Sequence, residues 1–289
     1  MADTQNVIIT KLQQWARDLA KNGHIDRAYV FGSLIYDGGT QFMPSSSDVD
    51  LLLRIPPSLS APLKRLDALD ALVEANQALE TVLFQTLPSR TGAKPITSIT
   101  PVTEFELRFG VHKGGKPEIY SANSFLDLLH DTKSFVSLAR TSPLKYEDHR
   151  AGVAALEGTQ NLRNRYIAVA PNSSRSVFEW SGDNDGASQL ALPKDVARAA
   201  AQLRHYRDRV GDEDRFDLNR GIDTLHDLFR ARENDNEEYK SFLRWLGPWR
   251  GGPGEKRPLS SRHQMLLWEV LASAAEKALV DAEGGPPLE

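Results

Sequence analysis

The segment that most constrains how this chain can fold is a pair of short strand-like runs joined by a polar stretch rich in glycine. The first run is Ala28–Phe31, which Gly32-Ser33 halts, and the second is Asp48–Leu53. Short apolar runs bounded by glycine and polar residues are typical of strands in a sheet. The segment therefore predicts two strands, with a turn after the first where the backbone can come close to a ligand.

Two carboxylates in this segment indicate a metal site. Asp48 and Asp50 are two positions apart, so a strand places both side chains on one face. Neighbouring anions repel each other unless a cation lies between them. Mg²⁺ binds carboxylate oxygens together with substrate phosphates, and two such ions can stabilise the attacking and leaving oxygens of an in-line displacement. We therefore expect Asp48 and Asp50 to bind two Mg²⁺ ions, with Mn²⁺ as an alternative.

The Gly32-Ser33 pair predicts the phosphate end of the same site. Gly32 has no side chain, so the backbone can approach a ligand there. Ser33 offers a hydroxyl and an amide at the expected start of a helix, which is a favourable position for a phosphate. Together with metal ions at Asp48 and Asp50, the pair predicts a bound nucleoside triphosphate whose phosphate tail lies at Gly32 and Ser33.

The order of these residues resembles the DNA polymerase β superfamily of nucleotidyltransferases. Gly-Ser after a strand, then Gly39-Thr40 and Ser47-Asp48-Val49-Asp50, is closest to the bacterial relatives of cyclic GMP-AMP synthase and oligoadenylate synthase. The match is strong over residues 27–54, where this chain has a slightly longer spacer than the family. The resemblance implies an α+β fold in which an α/β catalytic domain is followed by a mostly helical domain.

The resemblance also implies an activity. Members of the superfamily transfer a nucleoside monophosphate from a triphosphate to a hydroxyl and release pyrophosphate. For this chain it implies a magnesium-dependent enzyme that makes, without a template, a cyclic or linear oligonucleotide signal in bacterial antiphage defence. Its partners would be nucleoside triphosphates such as ATP, the oligonucleotide product and a downstream effector protein. Two alternatives remain: transfer onto a protein, tRNA or antibiotic acceptor, and a degenerate domain that binds nucleotide without turnover.

The superfamily also has a third carboxylate on a neighbouring strand, and here the sequence leaves alternatives. Aspartate is absent from residues 71–126, so a glutamate is expected. Alternation over Val102–Phe109 predicts a strand that carries Glu104 and Glu106 on its polar face. Glu118 begins the second arm of a predicted hairpin. We favour Glu106 as the third metal ligand and catalytic residue because it lies in the middle of the better strand, with Glu104 and Glu118 as alternatives.

Helical spacing of apolar residues predicts the rest of the architecture. The predicted helices cover residues 5–21, 60–84, 123–139, 193–210, 217–232, 235–246 and 260–282. We therefore place a nucleotidyltransferase catalytic domain at 1–142. A helical domain that resembles the second domain of oligoadenylate synthase, and binds substrate or product, follows at 143–289.

Composition limits the partners and the compartment of such a chain. The 35 basic and 39 acidic residues give a formal net charge of −4, which makes the chain a poor candidate for wrapping a long nucleic acid template. There is no cysteine, so disulfides, thiolate zinc sites and cysteine nucleophiles are excluded. No apolar run approaches the roughly 20 residues that cross a bilayer, and the N-terminus lacks the pattern of a secretory signal. We expect a cytoplasmic protein without a membrane partner.

Overall fold

The computed structural model describes residues 2–87, 89–91, 94–130, 135–139, 141–142, 145, 149–169, 194–208, 216–252 and 260–284. The chain divides into two compact units. The first comprises Met1–His112, Lys116–Thr141 and Arg163–Trp180, and the second comprises Lys113–Gly115, Ser142–Leu162 and Ser181–Glu289. The sequence predicts a single boundary after residue 142. In the structure the chain returns to the first unit at Arg163, so each unit is built from more than one segment.

The first half of the chain contains both helices and strands, and the described part of the second half is mainly helical. The α-helices of the described residues are α1 (Ala2–Lys21), α2 (Pro62–Thr86), α3 (Glu104–Phe109), α4 (Ile119–Ala122), α5 (Arg150–Ile167), α6 (Lys194–Asp208), α7 (Leu218–Arg230), α8 (Glu237–Leu246) and α9 (Ser261–Glu283). The strands are β1 (Arg27–Phe31), β2 (Val49–Ile55), β3 (Thr97–Thr103), β4 (Phe125–Asp127) and β5 (Phe135–Val136). The α+β class that the sequence predicts is confirmed.

The five strands form one mixed sheet in the order β3-β2-β1-β4-β5. β2 is antiparallel to β1 and parallel to β3, and β4 is antiparallel to both β1 and β5. Leu51, Leu52 and Leu53 are all buried, because β2, an inner strand of the sheet, is covered on both faces. The predicted strands around the Gly32 turn are thus confirmed as neighbours in the sheet.

Side-chain alternation gives the sheet two distinct faces, which we call front and back. Phe31 pairs with Asp50 on the front face, and Val30 pairs with Leu51 on the back face. On the front face, Tyr120 of α4 packs in a cluster with aromatic and aliphatic side chains of the strands, namely Tyr29, Leu52, Val102 and Phe125. α2 supports the back face. The predicted metal ligand Asp50 therefore lies on the face that α4 partly covers.

The predicted strand over Val102–Phe109 was wrong. β3 ends at Thr103 and α3 begins at Glu104, because Thr103 and Glu106 form a capping box and Gly110 ends the helix in the left-handed region. These local capping interactions override the alternating pattern. Glu104 and Glu106 consequently lie in a helix.

Two further predictions between residues 113 and 139 were also wrong. The predicted second arm of a hairpin, which begins at Glu118, is the short helix α4, with Glu118 exposed at its N-cap. The predicted helix over 123–139 contains β4 and β5, which extend the sheet beyond β1. Both differences have the same physical reason. Tyr120 and Phe125 pack in the cluster on the front face, and this packing outweighs the local sequence pattern of the two segments.

The predicted helices of the second half are confirmed where the structure describes them, as α6 to α9. Pro193 and residues 209–210 of the first of these predictions lie outside the described residues. α5 and α9 approach each other closely, since a Cβ at Gly158 would lie 2.2 Å from the Trp268 ring. No helix in the described part of the chain combines the length and the apolarity that crossing a bilayer requires.

Glu157, in the second unit, predicts a pH-dependent stability. Burial raises the pKa of its carboxyl from 4.5 to about 7. Between these two pH values the folded state therefore holds a proton that the unfolded state releases. The free energy of unfolding is for this reason highest below about pH 4.5 and falls as pH rises through 7. We expect Glu157→Gln to be more stable than the wild type, by a margin that grows between pH 5 and pH 8 in urea unfolding.

The control for this prediction is Asp281→Asn, which removes an exposed carboxyl from α9. A stability margin of Glu157→Gln that stays constant from pH 5 to pH 8, or that grows equally in Asp281→Asn, would contradict it.

Candidate active site

The two predicted metal ligands lie at the start of β2. Asp50 is half-buried and pairs across the sheet with Phe31 of β1 and Ser98 of β3. Asp48 precedes the strand, and its side chain is 60% exposed. Two residues of extended chain separate their Cα atoms by about 7 Å. Their carboxylates are thus accessible at one end of the sheet.

The turn after β1 approaches Asp50 directly. Gly32 has a φ of +79°, and a Cβ at this position would lie 2.5 Å from the Oδ2 atom of Asp50. Gly32, Ser33 and Leu34 form a single 3-10 turn, so the predicted helix after β1 is reduced to this turn. The structure therefore brings the Gly-Ser turn and Asp50 together, and only glycine fits without moving the carboxylate.

Gly32→Ala is expected to destabilise the protein through two separate effects. An alanine in the left-handed region costs about 1–2 kcal/mol, and a Cβ against the Asp50 carboxylate adds the cost of overpacking, about 1–3 kcal/mol. Gly23→Ala is the matched control, because Gly23 has a φ of +75° with nothing within 4 Å of its Cβ position. Urea unfolding should show a larger loss for Gly32→Ala than for Gly23→Ala. Equal losses would contradict the contact with Asp50.

Arg90 fixes the start of β2 and is a residue that the sequence did not reveal. Arg90 is buried, and its guanidinium donates hydrogen bonds to the Ser47 carbonyl (2.8 Å) and the Pro95 carbonyl (3.1 Å). The same group forms an ion pair of 3.2 Å with Asp48 Oδ1. A lone arginine in a predicted loop carries no signal of this contact, since the contact depends on how the loop folds.

Glu80 of α2 fixes the start of β3 beside it. Its buried carboxylate accepts hydrogen bonds from the backbone N–H groups of Ile96 and Thr97 and from the Thr97 hydroxyl, the last at 2.6 Å. Burial raises the pKa of Glu80, while these hydrogen bonds and the charge of Arg90 oppose the rise. α2 thereby holds β3 in register with β2 next to Asp48.

Tyr36 ties the Gly32 turn to α4. Its hydroxyl donates a hydrogen bond of 2.5 Å to Asn123 Oδ1. Asn123 in turn donates to the Ile119 carbonyl at the start of α4, at 2.7 Å. Burial raises the pKa of the Tyr36 phenol, and the nearby charge of Asp50 raises it further. These two hydrogen bonds hold the loop after the Gly32 turn against α4.

Glu106 does not join Asp48 and Asp50. Both Glu106 and Arg163 are 0% exposed, and Arg163 Nη1 lies 2.7 Å from Glu106 Oε1. The Glu106 carboxylate also accepts a hydrogen bond from the Thr103 N–H, at 3.0 Å. Thr103 lies five residues beyond Ser98 along β3, about 17 Å from the strand position that faces Asp50. The prediction that Glu106 is the third metal ligand is therefore wrong, because Glu106 caps α3 and neutralises the buried Arg163.

The two alternative glutamates are not at this end of the sheet either. Glu104 follows the far end of β3 and forms an ion pair with Arg54. Glu118 is exposed at the start of α4. The β3 position paired with Asp50 is Ser98, and no group of three acidic or histidine side chains that could hold a metal occurs among the described residues. The described site therefore offers two carboxylates.

Comparison with known protein families assigns residues 11–277 to the Pol beta superfamily nucleotidyltransferases in conflict systems. The chain belongs to this family. The match covers both units, so the resemblance that the Gly-Ser and Asp-x-Asp pattern indicates is confirmed over most of the chain. Neither the curated proteins nor the solved structures gave a match.

The metal that this nucleotidyltransferase family implies fits the residues present. Asp48 and Asp50 supply only oxygen donors, which Mg²⁺ prefers, and this ion commonly uses one or two carboxylates with waters and substrate phosphates. The missing side chain of Gly32 leaves room for the Asp50 carboxylate beside the turn. Asp48 and Asp50 are thus the residues that would hold a divalent cation in this family member.

Proposed function

We propose that this nucleotidyltransferase is a magnesium-dependent, template-independent enzyme that makes a cyclic or linear oligonucleotide signal for bacterial antiphage defence. The observation that carries the proposal is the close approach of the Gly32 turn to Asp50, with Asp48 two positions earlier. A turn that binds phosphates beside two carboxylates suits a metal-bound nucleoside triphosphate. The family match to nucleotidyltransferases in conflict systems supports the same function.

The proposed reaction is displacement at the α-phosphorus of the triphosphate. The hydroxyl oxygen of an acceptor nucleotide forms a bond to this phosphorus, the bond to the bridging oxygen breaks, and pyrophosphate leaves. The hydroxyl proton passes to solvent. Bound Mg²⁺ would offset the charge of the phosphates and of the transition state.

Each side chain of the site has a part in this proposal. Asp48 and Asp50 hold the cation, and Arg90 keeps Asp48 in position. The hydroxyl of Ser33 and the amides of the Gly32 turn bind the departing phosphates.

One observation favours a second candidate function, which is nucleotide binding without turnover. The strand position beside Asp50 is Ser98, where a third carboxylate would complete the ligand set of the superfamily. Two carboxylates can still bind a metal–nucleotide complex, which such a protein would report to a partner.

The experiment that tests the proposal gives the purified protein all four ribonucleoside triphosphates with Mg²⁺ or Mn²⁺ and no acceptor. Mass spectrometry should show a defined oligonucleotide together with released pyrophosphate. Saturable nucleotide binding in isothermal titration without any product would instead support the second candidate. A parallel reaction contains labelled triphosphates together with tRNA, protein or an antibiotic as acceptor. Label that appears only on such an acceptor would contradict an oligonucleotide product. Absence of both binding and turnover would contradict both candidates.

A further inference from the structure

A groove of about 1010 Å³ lies on the first unit, at the edge of the sheet. Among the described residues, its walls are one side of α1, the loop after the Gly32 turn and the strands β4 and β5. Volumes of this size match those of small-molecule sites, which occupy roughly 300–1,000 Å³. The groove is therefore large enough for a nucleoside.

The groove opens on the back face of the sheet. Leu126, which lines it, pairs with Val30 of β1 and with Phe135 of β5, and Val30 belongs to the back face. Asp50 pairs with Phe31 and belongs to the front face. Alternation along the strands thus places the strand residues of the groove on the face opposite to Asp50, while Tyr36 of the loop after the Gly32 turn lines the groove as well.

The polar lining of the groove is rich in amides. Gln5, Asn6 and Gln13 line it from α1, and they are spaced so that one side of the helix carries all three. Gln5 Nε2 already donates to the Leu34 carbonyl at 2.7 Å, so Asn6 and Gln13 are the amides that we assign to a ligand. Glutamine and asparagine side chains pair with the donor and acceptor edge of a purine, above all adenine, through two hydrogen bonds. This lining suits a ligand that offers both donors and acceptors on one flat edge.

The charge of the lining argues against a phosphate. Asp37 is the charged residue among the described residues that line the groove, and no lysine or arginine is among them. Triphosphates and nucleic acid backbones need cations or metal ions at their binding sites. A ligand of this groove should therefore be uncharged at the end that it inserts.

The groove also has an aromatic wall. Phe135 of β5 lines it and is 52% exposed, although a large apolar side chain is usually covered. Aromatic side chains stack on nucleobases, and such stacking contributes about 1–3 kcal/mol per base. From the amides, the absence of cations and the exposed ring, we propose that this groove is a second ligand site that binds the base of a purine nucleoside.

Isothermal titration with adenosine and with guanosine, without metal or triphosphate, tests this proposal. Saturable binding of at least one nucleoside to the wild type is expected, and Gln13→Ala should weaken it at least about 10-fold. Gln14→Ala is the matched control, because Gln14 is the next residue of α1, is exposed and hydrogen-bonds to Asp18 outside the groove. It should bind like the wild type.

Phe135→Ala is the second variant, and it should also weaken binding because the stacking surface is lost. No saturable binding of either nucleoside would overturn the proposal. Binding that is the same in Gln13→Ala, Phe135→Ala and Gln14→Ala would overturn it as well, because the nucleoside would then lie elsewhere. The titration measures binding alone, so a failure here is distinguishable from an absence of nucleotidyl transfer.

Discussion

Asp50→Asn should reduce pyrophosphate release from nucleoside triphosphates by at least about 1,000-fold while the protein stays folded. Asparagine has nearly the same volume as aspartate, so the contact with Gly32 is kept. It lacks the negative charge that would hold the cation between Asp50 and Asp48. The measurement is release of labelled pyrophosphate at saturating Mg²⁺, with urea unfolding of the same samples to show that the fold is intact.

Asp37→Asn is the matched control for this experiment. Asp37 lies in the loop that follows the Gly32 turn, is exposed and has a φ of +49°. Asparagine is among the residues that best tolerate this backbone region, so the control changes charge without adding strain. Its turnover should stay within about twofold of the wild type. Normal turnover in Asp50→Asn, or an equal loss in both variants, would contradict the role of Asp50.

Glu106→Ala should lower the free energy of unfolding by about 3–5 kcal/mol. The substitution leaves Arg163, which is 0% exposed, without its carboxylate. It also removes the acceptor of the Thr103 N–H and so half of the capping box of α3. Removing one member of a buried ion pair is among the few single changes that produce a loss of this size. Equilibrium urea unfolding measures it.

Glu104→Ala is the matched control, since Glu104 is two residues away in the same helix. Its side chain is 55% exposed in an ion pair with Arg54, so its loss should cost less than about 1 kcal/mol. A second variant replaces both Glu106 and Arg163 by Met, and it should recover part of the stability because neither charge of this pair is then buried. If Glu106→Ala kept full stability and lost metal-dependent turnover, Glu106 would be a ligand after all.

The predictable part of the fold is the part that local pattern decides. β1, the turn and β2 follow from apolar runs that end at glycine or proline, and these signals need no knowledge of distant residues. β3 was placed too late in the sequence, at Val102–Phe109. Its true span contains Pro101, which argues against a central strand, but β3 is an edge strand of the sheet and tolerates proline there.

The candidate site likewise has contacts that the sequence predicts and contacts that it does not predict. The close approach of Gly32 to Asp50 follows from the order of the motifs, because adjacent strands bring the turn to the start of β2. The residue that faces Asp50 from β3 depends on the register of two strands that are far apart in sequence, and this register selects Ser98. Arg90 and Tyr36 contact the site through loop conformations, for which composition and periodicity carry no signal.

The contacts of Arg90 indicate that the start of β2 is held in place before a nucleotide binds. Its guanidinium is anchored by two carbonyls as well as by Asp48, so its positive charge stays in place whether or not that carboxylate has another partner. The charge of Asp48 is thereby compensated from within the polypeptide. Treatment with a chelator should accordingly leave the melting temperature of the protein unchanged, because the contacts that hold the start of β2 need no bound ion.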